Sequence, residues 1–414
     1  MSRLRAGRPL WLARPHAVRH RRYASLDCDL GVDVVVVGGG FVGASVAWML
    51  ASHGVSVAVL ESSHVGLGST AASSALLMQE PDTDYQELAA LYGARATKRI
   101  WELSRDATRE LISTLRRNEI ECALEGCDSV YYTRNAEVVA RLRAEQQRRA
   151  RGGFSATWLS ADALQRTTGI DGAGAIRAHG NACLDPYRAC LGLLAAAQRR
   201  GAHIFEGSAV RSVTRNGTGV AAVTAGGTVF ADYAIIATGY ATPEPKTLSA
   251  RFAMKQTYVF ATERIPAKTR KAMGFGDVMV WDTQRPYHYA RWTRDHRLIA
   301  GGGDRPRVTR GRGAALRREI SALRDHFLTL WPALADVRIE HCWEGLFAMT
   351  PDGLPYIGPH ARYPRQLFAL GYGGNGMTFA FIAARLLLEW IRGTRSADHD
   401  LFAFNRHRRK GDAS

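Results

Sequence analysis

The segment from Val34 to Glu61 constrains this chain more than any other. Val34-Val35-Val36-Val37 is a β-branched run of the kind that forms a buried parallel strand, and Phe41 to Ser52 has the small and apolar spacing of a helix packed on it. Gly54 ends that helix and Val55 to Leu60 reads as a second strand, so residues 33–61 make one βαβ unit. Between strand and helix, Gly38-Gly39-Gly40-Phe41-Val42-Gly43 satisfies GxGxxG. In that pattern the first glycine permits the tight turn, the second lets backbone approach a pyrophosphate, and the third lets helix and strand pack closely. The helix N-terminus then faces the phosphates. Glu61 ends the second strand, where a carboxylate accepts hydrogen bonds from ribose hydroxyls. An acid there disfavours the phosphate of NADP, but it does not separate NAD from FAD.

The other elements alternate between helix and strand. A helix is expected from about Tyr85 to Arg117, an exposed one from Val138 to the Gly152-Gly153 breaker, and a third after the Asp185-Pro186 cap through Arg200. Strands are expected at His203 to Glu206, Val210 to Val213 and Asp232 to Ala237. Residues 251–304 alternate as a mixed or antiparallel sheet would, and a last apolar helix spans Met377 to Ile391. No internal repeat is visible.

The chain carries 55 basic and 38 acidic residues, a formal charge of +17. Only six of the basic residues are lysine, and the arginines are scattered rather than gathered into a stripe. With no helix-turn-helix, zinc-finger or RNA-binding signature beside the charge, no nucleic-acid role is expected. Six cysteines form no CxxC pair and no metal site is expected, which reads as reduced thiols in a cytoplasmic protein. The seven arginines and absent acids of residues 1–26 leave a mitochondrial transit peptide as the alternative, against which stand two prolines and only two serines. No apolar stretch is long enough for a membrane span.

Gly66-Leu67-Gly68-Ser69-Thr70-Ala71-Ala72-Ser73-Ser74-Ala75 follows Glu61 closely and offers hydroxyls and small side chains. Tyr233 to Gly239 reads YAIIATG, and Trp343 to Gly376 contains TPDGLPYIG and GYGGNG. With Asp33 to Glu61, these four segments in this order resemble the D-amino-acid oxidase superfamily of flavoproteins, which includes glycine oxidase, sarcosine oxidase and dimethylglycine dehydrogenase-like proteins.

The resemblance implies an α/β fold, α+β overall, with a discontinuous Rossmann-like FAD-binding domain over 31–80, 154–245 and 344–405. A substrate domain with a mixed or antiparallel sheet and helices would cover 81–153 and 246–343, between a basic leader (1–30) and a basic tail (406–414). It implies that Gly38, Gly40, Gly43 and Glu61, with Phe41 and Val42 between the glycines, hold the ADP half of FAD. Gly68, Ser69, Thr70, Ala72, Ser73 and Ala75 would run along the flavin side, and Val210, Ala237, Thr238 and Gly239 would line the adenine and pyrophosphate region. Gly371, Gly373, Gly374, Asn375, Gly376 and Met377 would meet the flavin pyrimidine, where unpaired N–H groups and a helix dipole stabilise negative charge. Members that attach flavin covalently use a Cys shortly before the segment matching Thr350-Pro351-Asp352, or a His after the ribose acid. Gly345 and Ala71-Ala72 stand at about those places, so non-covalent FAD is expected.

On the substrate side, the two-residue period of a strand puts Tyr287, Tyr289 and Arg291 on one face and His288 on the other. A guanidinium flanked by two phenols suits a carboxylate, and the resemblance implies the same for an Arg on a strand before Arg297 to Gly302. The alternative is a solvated cross-strand ladder. Lys255 is a candidate to face the flavin, with an exposed strand lysine as its bland counterpart. The reaction implied is hydride transfer from the carbon of an amine-bearing substrate to flavin N5, giving an imine that hydrolyses. Oxygen or another acceptor would take the electrons. Two other readings of the same fold are open: an NAD-dependent dehydrogenase, and a non-catalytic interaction protein.

Overall fold

The computed structural model describes residues 6–13, 22–240 and 246–406. The β-branched run lies in strand Leu30–Val37, at the centre of an eight-stranded sheet. It is flanked in parallel by Val57–Leu60 on one side and Thr228–Gly239 on the other, so Val36 stands beside both Val59 and Ile235. His203–Phe205 and Tyr363–Leu370 extend the parallel order, and the hairpin Ser212–Asn216 with Gly219–Val223 covers one edge. Helix Phe41–Ala51 is buried along its whole length because Pro186–Gln198 and Gly376–Ile391 pack against it, with Trp48 stacked on Phe381 at 5.9 Å. A helix apolar all round is what a layer between other layers requires.

A second eight-stranded sheet runs in the order Ile339–Met349, Ala253–Thr262, Leu298–Pro306, His288–Trp292, Val278–Asp282, Asp128–Thr133, Gly174–Ala178, Thr157–Leu159. Its back face packs Phe260 against Phe327 and Trp331 around helix Arg312–Leu330. Its front face brings Val259, Tyr289 and Trp343 against Ala71 and Ala72 of the first body. The α/β fold with a second antiparallel-rich sheet agrees with the expectation, but the expected boundaries need correction. Thr157–Leu159 and Gly174–Ala178, within the segment assigned to the nucleotide domain, belong to the second sheet, and strand Ile339–Met349 crosses the boundary at 344.

The helix Tyr85–Arg117 has the expected bounds, with Gly93 (φ 78°) interrupting it. The leader departs from the expected irregular segment. Gly7 bridges to Trp343, and Leu10 and Trp11 are buried at the junction of the two bodies. Arg406, expected in the basic tail, has a buried side chain and donates from Nε to Asp352 at 2.7 Å. The expected tail beyond it lies outside the described residues. No helix among the described residues is long and apolar enough to cross a membrane.

Candidate active site

The glycine turn is shaped by what surrounds it. Gly38 has φ 112°, and a Cβ there would lie 2.8 Å from the Ala237 carbonyl oxygen. A Cβ on Gly43 would collide with the Gly38 carbonyl, so this glycine serves strand–helix contact rather than ligand contact. Gly40 caps helix Phe41–Ala51 without any side-chain hydrogen bond, and Thr70 Oγ1 accepts from the Phe41 N–H at 2.9 Å. Glu61 is oriented by the Gly39 and Ser63 N–H groups, each 2.9 Å from one of its carboxylate oxygens. Gly38, Gly40, Phe41, Val42 and Glu61 all line one cavity of about 640 Å³.

The cavity passes from this turn, beside Val210 and Ala237 to Gly239, along Gly68 to Thr70 and Ala72 to Ser74, to the front face of the second sheet. Three consecutive carbonyls of the 72–74 loop are pinned from below. Trp343 Nε1 donates to Ala72 O (2.9 Å), Trp11 Nε1 to Ser73 O (2.9 Å) and Arg291 Nε to Ser74 O (2.8 Å). Above the cavity, Gly373, Gly374, Asn375, Gly376 and Met377 form a loop that opens helix Gly376–Ile391. That helix start has no side-chain cap. Asn375 donates to the Met78 and Glu80 carbonyls, leaving its Oδ1 buried without a partner. Two helix N-termini whose own N-cap residues make no side-chain cap therefore converge on one cavity.

The far end is aromatic and charged. Trp281, Tyr287, Tyr289 and Phe347 form walls, with Trp281 stacked on Tyr131 at 5.0 Å and the rings of Tyr287 and Tyr289 6.1 Å apart. Burial holds the Tyr287 phenol well above its ordinary value and pushes Tyr289 up to about 12, so both stay neutral donors. Arg285 stands at the mouth beside Tyr131. It lies on the loop joining strand Val278–Asp282 to strand His288–Trp292, and Asp282 ties that loop. Asp282 Oδ1 accepts from the Gln284 N–H (3.1 Å) and His288 N–H (3.0 Å), while Oδ2 faces His288 Nδ1 at 3.0 Å. The His288 ring stacks on His326 at 3.9 Å, away from the cavity.

Several expected residues lie elsewhere. Arg291 does share the tyrosines' face, but it is 2% exposed and does not line the cavity. Besides Ser74 O it donates to Leu184 O (2.9 Å) and Trp292 O (3.0 Å), so each of its nitrogens is held by a backbone carbonyl. Alternation along the strand fixed its face, while the 72–74 loop and Trp11 cover that stretch of it. Lys255, half-buried on the strand of Thr257, also stays off the cavity wall, near Asp304. Ala75 and Gly371, like Gly43, shape the backbone without lining: Ala75 has φ 56°, and a Cβ on Gly371 would meet the Phe252 ring. The residues that sequence reasoning missed include the aromatic walls Trp281 and Phe347 and five charged groups. Asp82, Asp84, Arg149, Arg285 and Asp304 line the cavity from loops and element ends, where no periodicity marks them.

Among comparisons with known proteins, the family model for FAD-dependent oxidoreductases matches residues 33–390. The chain belongs to that family. It is 28% identical over 387 residues to gamma-glutamylputrescine oxidoreductase of Escherichia coli, covering 91% of this chain and 88% of the relative. It is 27% identical over 398 residues to glycine oxidase of Bacillus licheniformis, covering 91% and 98%. In fold it matches glycine oxidase from Geobacillus kaustophilus with a TM-score of 0.75 at 21% identity, over 91% of this chain and 98% of that one. L-amino acid deaminase from Proteus vulgaris matches with a TM-score of 0.76 at 16% identity, over 94% and 99%.

This flavoenzyme's cavity suits FAD on its own geometry. The glycine turn and Glu61 fit a pyrophosphate and a ribose, and the second uncapped helix start fits the electron-rich edge of a flavin. The nicotinamide and non-catalytic alternatives are not favoured. Among the described residues no Cys or His lines the cavity, and Cys342 lies off it. At Gly345, which does line it, a Cβ would sit 3.3 Å from Thr257 and 3.4 Å from Ala72.

Proposed function

We propose that this enzyme oxidises the C–N bond of an amino acid or related carboxylate-bearing amine, giving an imine that water hydrolyses. The observation that carries this reading is the far end of the cavity, where four aromatic walls and a mouth arginine stand next to the loop suited to the flavin. Bound FAD would supply the hydride acceptor, and oxygen or another acceptor would take the electrons on. The chain's own residues position and desolvate the substrate. Tyr287 and Tyr289 remain neutral and offer hydroxyl donors and apolar surface. Arg285, rather than the backbone-bound Arg291, is the guanidinium available to a carboxylate. The names of the relatives, which act on gamma-glutamylputrescine and on glycine, support the same chemistry. We further infer a cytoplasmic location, supported by six cysteines that all stand as free thiols.

The test is anaerobic mixing of the holoenzyme with amines and amino acids. Bleaching of the flavin with formation of a carbonyl product and ammonia or a shorter amine supports the reading. A flavin that no amine reduces rejects it.

A further inference from the structure

The far end of the cavity carries two carboxylates that the proposed function leaves unused. Asp82 and Asp304 both line it, one from the loop before helix Tyr85–Arg117 and the other from strand Leu298–Pro306. A carboxylate withdrawn from water is ordinarily matched by a cation, and this chain has arginine in excess. Asp84, in the same wall, is matched by Arg149 at 3.2 Å. Asp82 and Asp304 have no ion-pair partner within 4.0 Å among the described residues. Asp82 Oδ2 instead accepts from the Gly374 N–H, which places it against the loop suited to the flavin. Asp304 has the Thr257 hydroxyl beside it, with Lys255 beyond ion-pair reach. Tyr287 lies in the field of both acids, and a Cβ on Gly374 would stand 2.7 Å from its hydroxyl and 3.0 Å from Asp82 Oδ2.

Two unmatched carboxylates next to the rings of Trp281, Tyr287 and Tyr289 make a receptor for an alkylammonium ion, whose charge the acids neutralise and whose methylenes and positive field the rings accept. That cation is not the reacting amine. Loss of a hydride from carbon needs the nitrogen lone pair free, whereas paired carboxylates hold an amine protonated. Resting on the function proposed above, we infer that the substrate carries a second positive charge: a diamine, a diamino acid or an N-substituted derivative of one, with the extra ammonium seated at Asp82 and Asp304.

The experiment measures binding to the oxidised holoenzyme, through perturbation of the flavin visible spectrum, and the rate of anaerobic flavin reduction. The probes are matched in length and differ in one charge: putrescine against butylamine, and lysine against norleucine and aminoadipate. Cationic members should bind roughly ten- to hundred-fold more tightly than their neutral partners, the range expected of hydrogen bonds to charged groups. Asp304→Asn and Asp82→Asn, which keep the shape and the acceptor for Gly374, should each bring that ratio toward one while FAD content is unchanged. Equal binding of neutral and cationic members, preference for aminoadipate, or a ratio untouched by both variants overturns the inference. If amines reduce the flavin without any charge preference, the proposed function stands and this inference falls. If no amine reduces it yet the charge-selective binding appears, the cation site stands and the proposed function falls.

Discussion

At the scale of the residue, Arg285 and Arg291 carry opposite expectations. Arg291 is buried and joins three segments by hydrogen bonds to backbone carbonyls. Truncating it leaves those carbonyls unmet. Arg291→Ala is expected to cost roughly 2–4 kcal/mol of stability, in line with breaking a buried hydrogen-bond network, seen as a lowered melting temperature with weakened FAD retention. Arg285→Ala, at the exposed mouth, should leave melting and flavin spectrum nearly unchanged and raise KM for carboxylate-bearing substrates. Reversal of the two phenotypes would return the carboxylate role to Arg291. Asp82 adds a pH signature. Its carboxyl is pushed up to about 6, chiefly by burial, with Asp304 adding to the rise and the Gly374 N–H and Arg285 opposing it. Cation binding should be full above that pH and fall as pH drops through 6, a step that Asp82→Asn removes. In the free enzyme the sign is reversed for stability: the native state holds the Asp82 proton more tightly than the unfolded chain, so this group's contribution becomes less favourable as pH rises toward 6.

At the scale of the element, what could be read in the sequence follows from where packing enforces pattern. Val34 to Val36 and Phe41 to Ala51 are buried on every side, so their composition announces strand and helix. Asp185 was legible as a cap, and its side chain does accept from the Tyr187 and Arg188 N–H groups at 3.0 Å. The strand from His288 to Trp292 was legible in its faces but not in its depth. Two residues along a strand advance about 7 Å, enough to carry Arg291 out of the cavity and under the 72–74 loop. Asp82, Asp304 and Arg285 were silent because a single charge at a loop or strand end has no period. Gly43→Ala is the element-scale prediction. A methyl group forced against the Gly38 carbonyl should push the helix from the strand and abolish FAD binding, measured as protein-bound flavin after purification. Normal flavin content in that variant would contradict the packing role.

At the scale of the whole molecule, the described residues place the candidate active site at the junction of the two eight-stranded sheets, and the junction is sealed from unexpected directions. The leader's Trp11 and the long-range Trp343 and Arg291 hold the loop on which a flavin would rest, so order in that loop depends on contacts between the bodies. Sequence reading found the first sheet because one motif carried it. It misassigned Thr157–Leu159 and Gly174–Ala178 because short strands between helices look alike in either body, and only pairing partners decide which sheet they join. At this junction the enzyme is expected to bind FAD and to pass a substrate's hydride to it. The most direct measurement is the visible spectrum of the purified protein before and after anaerobic addition of putrescine, lysine and glycine. A flavin spectrum, released as FAD on denaturation and bleached by at least one of these amines, is the predicted result. A colourless protein that takes up no FAD on reconstitution, or a flavin that none of them reduces, would contradict it.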